Sequence, residues 1–446
     1  MASIQLSDHF TYKKLIKFTL PSIVMMIFTS IYGVVDGFFV SNFAGDIPFK
    51  AVNLIMPFLI IVSTVGFMFG SGGTALVANT YGEGDKEKAN RYFSLFVYVT
   101  FFIGLILAIL SFLFIRPIAT LLGAEGAILE NCVLYGRIIL CALPLVVLQY
   151  LFQSFFVAAE KPRLGLAVII AAGCTNMILD AILVLFLPAE YKLVGAAIAT
   201  ALSQAVGGGV PLVYFFRENS SLFRLGKTNL DIKAILKACA NGSSEFMSNV
   251  SMSLVGMLYN IQLLKYAGDD GVAAYGVMMY VSMIFSAIFI GYSIGVAPVI
   301  SFHDGAENHD EKKGILKKSI WMLLIVSALM FLFSELLATP LAKIFVSYSD
   351  GLMKMTVRGL RIFSVSYLFM GVAIFSSGFF TALNDGLTSA IISFLRTLVF
   401  QLGAVLLLPV LFNNVDGIWW SVVVAEFMAV VFSAIFMFAK RKKYHY

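Results

Sequence analysis

The chain has 446 residues, 60% of them hydrophobic and 13% charged, with a formal net charge of +6 and a mean hydropathy of +0.92. So apolar a composition excludes an ordinary soluble enzyme or binding module and points to an integral membrane protein. The positive charge is spread over alternate loops rather than along one face, so no nucleic-acid partner is expected.

Apolar runs of about 20 to 28 residues, each long enough as a helix to cross a hydrocarbon core of roughly 30 Å, are separated by short charged clusters. In chain order they predict spans near 15–41, 51–80, 92–115, 133–158, 164–187 and 193–216, then 239–264, 272–302, 319–338, 356–382, 387–411 and 417–439. The first run lacks a small-residue cleavage site, so a cleaved signal peptide is not expected. The expected fold is an all-α integral membrane protein of twelve transmembrane helices in two parallel six-helix repeats. Residues 1–216 form the N-lobe, 217–237 a cytoplasmic linker and 238–446 the C-lobe.

Lysine and arginine fall in the N-terminal segment, around Lys86–Arg91, at Lys161 and Arg163, in the linker, at Lys312–Lys318 and at Lys440–Lys443. All lie on one side of a twelve-span topology, so both termini are expected in the cytoplasm of a bacterial inner membrane. The four histidines, His9, His303, His309 and His445, fall in the same segments and read as solvated. Cys132, Cys141, Cys174 and Cys239 lack metal spacing and read as small core residues.

The halves align at a nearly constant offset. A shift of 223 superposes Ala44-Gly45 on Ala267-Gly268, Gly72 on Gly295 and Gly82 on Gly305; a shift of 224 superposes Phe155-Phe156 on Phe379-Phe380. Six spans per copy bring each in from the same side, giving parallel repeats suited to rocking around a central site.

Four polar residues stand where hydrocarbon should be: Asp36 in the first run, Asn176 and Asp180 in the fifth, Thr200 in the sixth. A carboxylate at mid-bilayer costs about 2.5–3.5 kcal/mol, so such residues call for a functional reason. Asn176 and Asp180 share a helix face one turn apart, and the four together offer hard oxygen ligands. Their repeat mates are Tyr259, Phe400, Ala404 and Val422, which confines the acidic site to one lobe. Aromatic and polar residues near that site or its mate, Tyr32, Gln153, Met177 and Tyr259, are candidates for a substrate pathway. Glu245, near the basic linker, reads either as part of that pathway or as a solvated helix start.

Pro21, the stretch Tyr32-Gly33-Val34-Val35-Asp36, the Asn176 and Asp180 pair, and Gly195-Ala196-Ala197 leading to Thr200 resemble the multidrug and toxic compound extrusion (MATE) family, on its bacterial MepA-like and DinF-like side. The resemblance covers nearly the whole chain. It implies an N-lobe cation site formed by Asp36, Asn176, Asp180 and Thr200, with Tyr135 as a neighbour, that binds H⁺ or Na⁺ and couples its occupation to drug export. The resulting expectation is a cation-coupled antiporter of organic, mostly cationic amphipathic compounds, monomeric, in contact with membrane lipid and without a cofactor beyond the coupling ion. A family branch that couples through acids in spans seven and ten fits poorly, since span ten has none.

Other readings are weaker. A lipid-linked glycan flippase would want a basic cavity, for which Arg137, Arg358, Arg361 and Arg396 are few. The Gly291-Tyr292-Ser293-Ile294-Gly295 stretch matches a hydrolase elbow in letters but lies in a helix-length apolar run, so no enzyme is expected. Gly226-Lys227-Thr228 lacks the first glycine of a phosphate-binding loop.

Overall fold

The computed structural model describes residues 4–346 and 349–446, with the side chains of Phe38, Ser41 and Asn42 outside the description. The described chain is nearly all helix. The first half contains α1 (Tyr12–Phe39), α2 (Asp46–Gly82), α3 (Lys86–Leu121), α4 (Gly126–Ala158), α5 (Pro162–Phe186) and α6 (Lys192–Phe216). A non-helical segment follows before α7 (Ile232–Gly305), α8 (His309–Val346), α9 (Asp350–Ser364), α10 (Tyr367–Ala382), α11 (Gly386–Phe394), α12 (Gln401–Phe412) and α13 (Asp416–Tyr444).

Ten of these stretches are long and apolar enough to cross a membrane, and α9 with α10, bent by 48°, makes an eleventh. The 74-residue α7 turns at Gly268, where φ 62° and ψ −155° leave helical space, so its two arms serve as two spans and the twelve-span plan is recovered. Helix α7 also starts earlier than expected: Lys233 and Lys237 belong to its first turns rather than to the linker.

The duplication read from sequence is written into the backbone. Gly45 (φ 100°) ends the α1 unit where its mate Gly268 (φ 62°) breaks α7. Gly84 (φ 93°) and its mate Glu307 (φ 53°), and Glu160 (φ 59°) and its mate Asn384 (φ 56°), occupy the same left-handed positions after equivalent helices. Such conformations are rare for residues other than glycine, so their repetition at a nearly constant offset reports a repeated turn rather than chance.

The halves meet along α2 and α7 through glycines placed in the same relation. A Cβ on Gly82 would stand 2.1 Å from the Phe302 carbonyl, and one on its mate Gly305 would stand 2.0 Å from the carbonyl of Asn79, itself the mate of Phe302. Nearer the α7 start, a Cβ on Gly72 would meet the Ala238 carbonyl at 2.0 Å, and one on Gly242 the Met68 carbonyl at 1.8 Å. Backbones touch here because nothing intervenes, the usual device for close helix packing in lipid. All these contacts lie at the end carrying the basic loops, and polar bonds reinforce them. Asn79 Nδ2 donates to Asp304 Oδ2 at 3.3 Å, and buried Lys312 pairs with Asp304 at 2.7 Å. The molecule is therefore closed at that end.

Two expectations fail there. His303, read as solvated, is 2% exposed, its ring packed edge-on against Phe10 and Phe302, because the N-terminal segment folds back over it. Of the cysteines only Cys132 is buried, whereas Cys141 is exposed. The Gly291–Gly295 stretch is helical within α7, with Gly291 against the backbone of Ile23, so its glycines serve packing.

Candidate cation and ligand sites in the two halves

In the first half, small residues set the geometry. A Cβ on Gly195 would already lie 3.0 Å from Leu183, so Gly195 with the buried Ala196 and Ala197 lets α6 approach α5 closely. That approach carries Thr200 to α1, where its hydroxyl donates to Asp36 Oδ1 at 3.2 Å and to the Ala196 carbonyl at 3.0 Å. Asp180 and Asn176, on the inner face of α5, also face Asp36, and Tyr135 of α4 stands beside Asp36, Thr200 and Asp180. The four oxygen-bearing residues expected to assemble thus do so, from three helices, with Tyr135 as their neighbour.

Their surroundings define what they can do. Asp180 and Asn176 are at most 1% exposed, and none of their four side-chain polar atoms has a hydrogen-bond partner. Two facing carboxylates, of which Asp180 has no donor, beside a buried apolar cluster that includes Tyr135, Val184, Leu193 and Val40, cannot both carry charge unless a cation joins them. A hard cation with oxygen ligands or a shared proton satisfies this arrangement; a soft ligand is missing from it.

The remaining first-half candidates are distributed around this cluster. Tyr32 lies one turn before Asp36, its ring 6.1 Å from Phe28 and packed over Gly173, whose Cβ would collide with both rings. Gln153 is buried on α4 with both amide atoms unpartnered. Met177 follows Asn176 and therefore points off its face, half-buried.

The second half holds a cavity of about 280 Å³. Glu245 and Tyr259 line it, together with Tyr275, Arg396, Gln401 and Glu426. The mate positions of the acidic cluster are neutral here: Tyr259, mate of Asp36, donates its hydroxyl to Gln401 Oε1 at 2.7 Å, and Gln401 is the mate of Met177. Nearby stands a buried ion pair absent from the sequence reading. Arg396 donates from Nε to Glu426 Oε2 at 2.9 Å and from Nη2 to Oε1 at 2.8 Å, with Glu426 3% exposed. Arg396 sits in a π-helical turn, Leu395–Phe400, between α11 and α12; the extra residue of such a turn re-aims a side chain, here toward α13.

Glu245, more than three turns into α7, lies on the cavity wall rather than at a solvated helix start. The confinement of intramembrane acids to one half is also corrected: Glu426 and Glu245 place two more in the other. The signal for Glu426, an acid inside an apolar run, was the same one that marks Asp36.

The family model described as MatE matches the chain twice, over residues 21–182 and 246–406. The chain belongs to the MatE family. Its two matches coincide with the two structural repeats. The multidrug export protein MepA of Staphylococcus haemolyticus (strain JCSC1435) is 25% identical over 438 residues, covering 97% of this chain and 94% of that protein. MepA of Staphylococcus aureus (strain MSSA476) is 24% identical over 441 residues, with the same coverage. Among solved structures, MATE in complex with MaL6 has a TM-score of 0.93 at 20% identity, covering 100% of this chain and 99% of that one. The outward-facing conformation of a multidrug resistance MATE family transporter of the MOP superfamily has a TM-score of 0.92, also at 20% identity, covering 100% and 99%. At that identity the likeness establishes the MatE fold.

Proposed function

We propose that this MatE protein exports organic, mostly cationic amphipathic compounds across a bacterial plasma membrane by alternating access, in exchange for H⁺ or Na⁺ at Asp36, Asn176, Asp180 and Thr200. The observation that carries the reading is the buried pair Asn176 and Asp180, whose four polar atoms lack partners while facing Asp36. Binding a cation there removes a cost that the empty cluster bears, and a ligand shifts a two-state equilibrium by its difference in affinity for the two states. Residue chemistry favours neither ion.

The orientation follows from the charge asymmetry. The basic loops belong on the cytoplasmic side, and the glycine contacts close that end, so the described state faces outward with both termini in the cytoplasm. A flippase for lipid-linked glycans is less favoured: Arg358 pairs with Asp416, Arg361 lies 3.9 Å from Glu335 and Arg396 is held by Glu426. Arg137 lies over the Phe112 ring at 5.0 Å. Three of the four guanidiniums are thus matched by carboxylates instead of forming a basic cavity.

Export of a fluorescent lipophilic cation, followed in inverted vesicles with proton and sodium gradients imposed one at a time, tests the proposal. A response to one gradient names the coupling ion; indifference to both would overturn the coupled-export reading.

A further inference from the structure

We propose that the groove between α8, α9 and α13, at the end opposite the basic loops, binds an anionic phospholipid whose phosphodiester is held by Lys354 and Arg358 and whose acyl chains lie along α8 and α13. The inference goes beyond the export reading and takes from it only the orientation, which places this groove in the outer leaflet.

Comparison of the repeats shows how the groove arises. In the first half, Arg116 of α3 donates to both carboxylate oxygens of Glu130 in α4 at 2.8 Å, tying those helices together. At the shift of 223 that superposes Pro117 on Pro340, the mate of Arg116 is Thr339. At the shift of 224 that superposes the starts of α4 and α9, the mate of Glu130 is Lys354. The bridge is gone, and a positive charge stands where its carboxylate was. In its place lies an open cavity of about 670 Å³, whose wall includes Thr339, Lys354, Arg358, Arg361, Asp416 and Trp420.

Charge selects the ligand. Arg358 is paired with Asp416 and Arg361 lies 3.9 Å from Glu335, whereas Lys354 has no ion pair among the described residues, Asp350 one turn earlier included. The groove therefore carries one unmatched positive charge, on the side of the membrane where the positive-inside bias leaves few lysines and arginines. A phosphodiester with an uncharged headgroup matches it, while a zwitterionic headgroup brings a cation of its own. The Arg358 guanidinium has donors to spare beyond its contact with Asp416, so it can hold a phosphate oxygen at the same time. Lys354 and Arg358 share a face of α9 about 6 Å apart along its axis, which lets one phosphate sit between them.

The flanks suit acyl chains rather than water. One and two turns from Thr339 along α8, Leu336 and Leu332 are exposed, and one and two turns from Trp420 along α13, Val424 and Phe427 are exposed. In a chain that spans a membrane, such stripes face lipid tails as apolar as themselves. Trp420 stands where the polar groove meets them, the level at which tryptophans anchor to headgroups. A free phosphate would gain nothing from these flanks, which assigns the anion to a lipid.

The test uses the purified, delipidated full-length protein in detergent, titrated with phosphatidylglycerol or phosphatidylcholine of identical acyl chains, with bound lipids counted by native mass spectrometry. The wild type is expected to bind its first phosphatidylglycerol about five- to tenfold more tightly than its first phosphatidylcholine. In Lys354→Gln that preference is expected to fall to about twofold or less, and in Lys354→Arg to persist. The double variant Thr339→Arg with Lys354→Glu, which rebuilds the first-half bridge, should lose it as well, whereas Lys50→Gln, an exposed lysine at the same membrane side, should keep it. Equal binding of the two lipids by the wild type, an undiminished preference in Lys354→Gln, or displacement of phosphatidylglycerol by glycerol 1-phosphate, which would name a soluble anion instead, would each overturn the proposal. The wild-type comparison holds even if a variant fails to fold. Because no gradient or exported compound is involved, failure of coupled export leaves this result untouched, and the reverse also holds.

Discussion

The Phe10 amide donates to Glu311 Oε1 at 2.8 Å, and four residues earlier the Leu6 amide donates to Glu160 Oε1 at 2.7 Å. Glu160 follows α4 and Glu311 opens α8, so one short strap grips both halves across the closed end. Leu6 and Phe10 are fully buried, and Phe10 packs edge-on to Phe18 at 5.8 Å. Phe10→Ala is expected to destabilise by about 3–5 kcal/mol locally, the usual cost of emptying a buried phenylalanine site. The strap must let go when this end opens, so the variant should also raise thiol labelling of a cysteine placed at Asn79. Unchanged labelling would mean that the glycine contacts alone hold the end shut.

Gly242 is where those contacts are tightest, with no room for a methyl group 1.8 Å from the Met68 carbonyl. Gly242→Ala should therefore push α2 and α7 apart and shift the protein from the closed arrangement of that end, without emptying any core. Spin-label distances between Asn79 and Asp304 positions would lengthen by several ångströms in the variant and stay fixed at Gly256→Ala, where a Cβ meets nothing within 4 Å.

Asp385 lies in the turn before α11 and anchors the C-terminal end of α13. Burial by itself would raise its carboxyl pKa, but hydrogen bonds from the Tyr444 hydroxyl at 2.8 Å and from Thr388, with Lys440 at 3.3 Å, hold it below the ordinary 3.8. A depressed folded-state pKa gives stabilisation that is present above the unfolded value and lost as pH falls through the folded one. Asp385→Asn should lower stability by about 1 kcal/mol at neutral pH, as loss of a charged cap does, and the gap to wild type should close below about pH 4. Thermal unfolding in detergent across that range checks it; a gap constant with pH would contradict it.

Glu426 and Arg396 form a pair whose removal is asymmetric. Glu426→Gln strands a guanidinium that is 18% exposed and should cost about 3–5 kcal/mol, whereas Arg396→Met with Glu426→Leu should cost far less. Melting temperatures of single and double variants separate these outcomes.

The sequence shows the N-half site well because its signal is local: polar side chains in apolar runs are costly wherever they fall, and Asn176 and Asp180 share a face by spacing alone. The repeat was equally legible, since left-handed turns such as Gly45 and Gly268 demand particular residues at particular places. What escaped depends on distant partners. Glu426 acquires its meaning from Arg396, 30 residues away in a π-turn that no apolar periodicity announces. His303 is buried by residues nearly three hundred positions earlier, and the bend between α9 and α10 falls at Val365-Ser366 with neither glycine nor proline to mark it.

The central claim is that the buried carboxylates of the first half couple ion movement to export. Its most direct test is gradient-driven export of a lipophilic cation from proteoliposomes, comparing wild type with Asp36→Asn and Asp180→Asn at matched protein content. Export is expected to lose its response to the driving gradient in both variants, while the proteins remain folded and monodisperse. Gradient-driven export at the wild-type rate in both would contradict the claim.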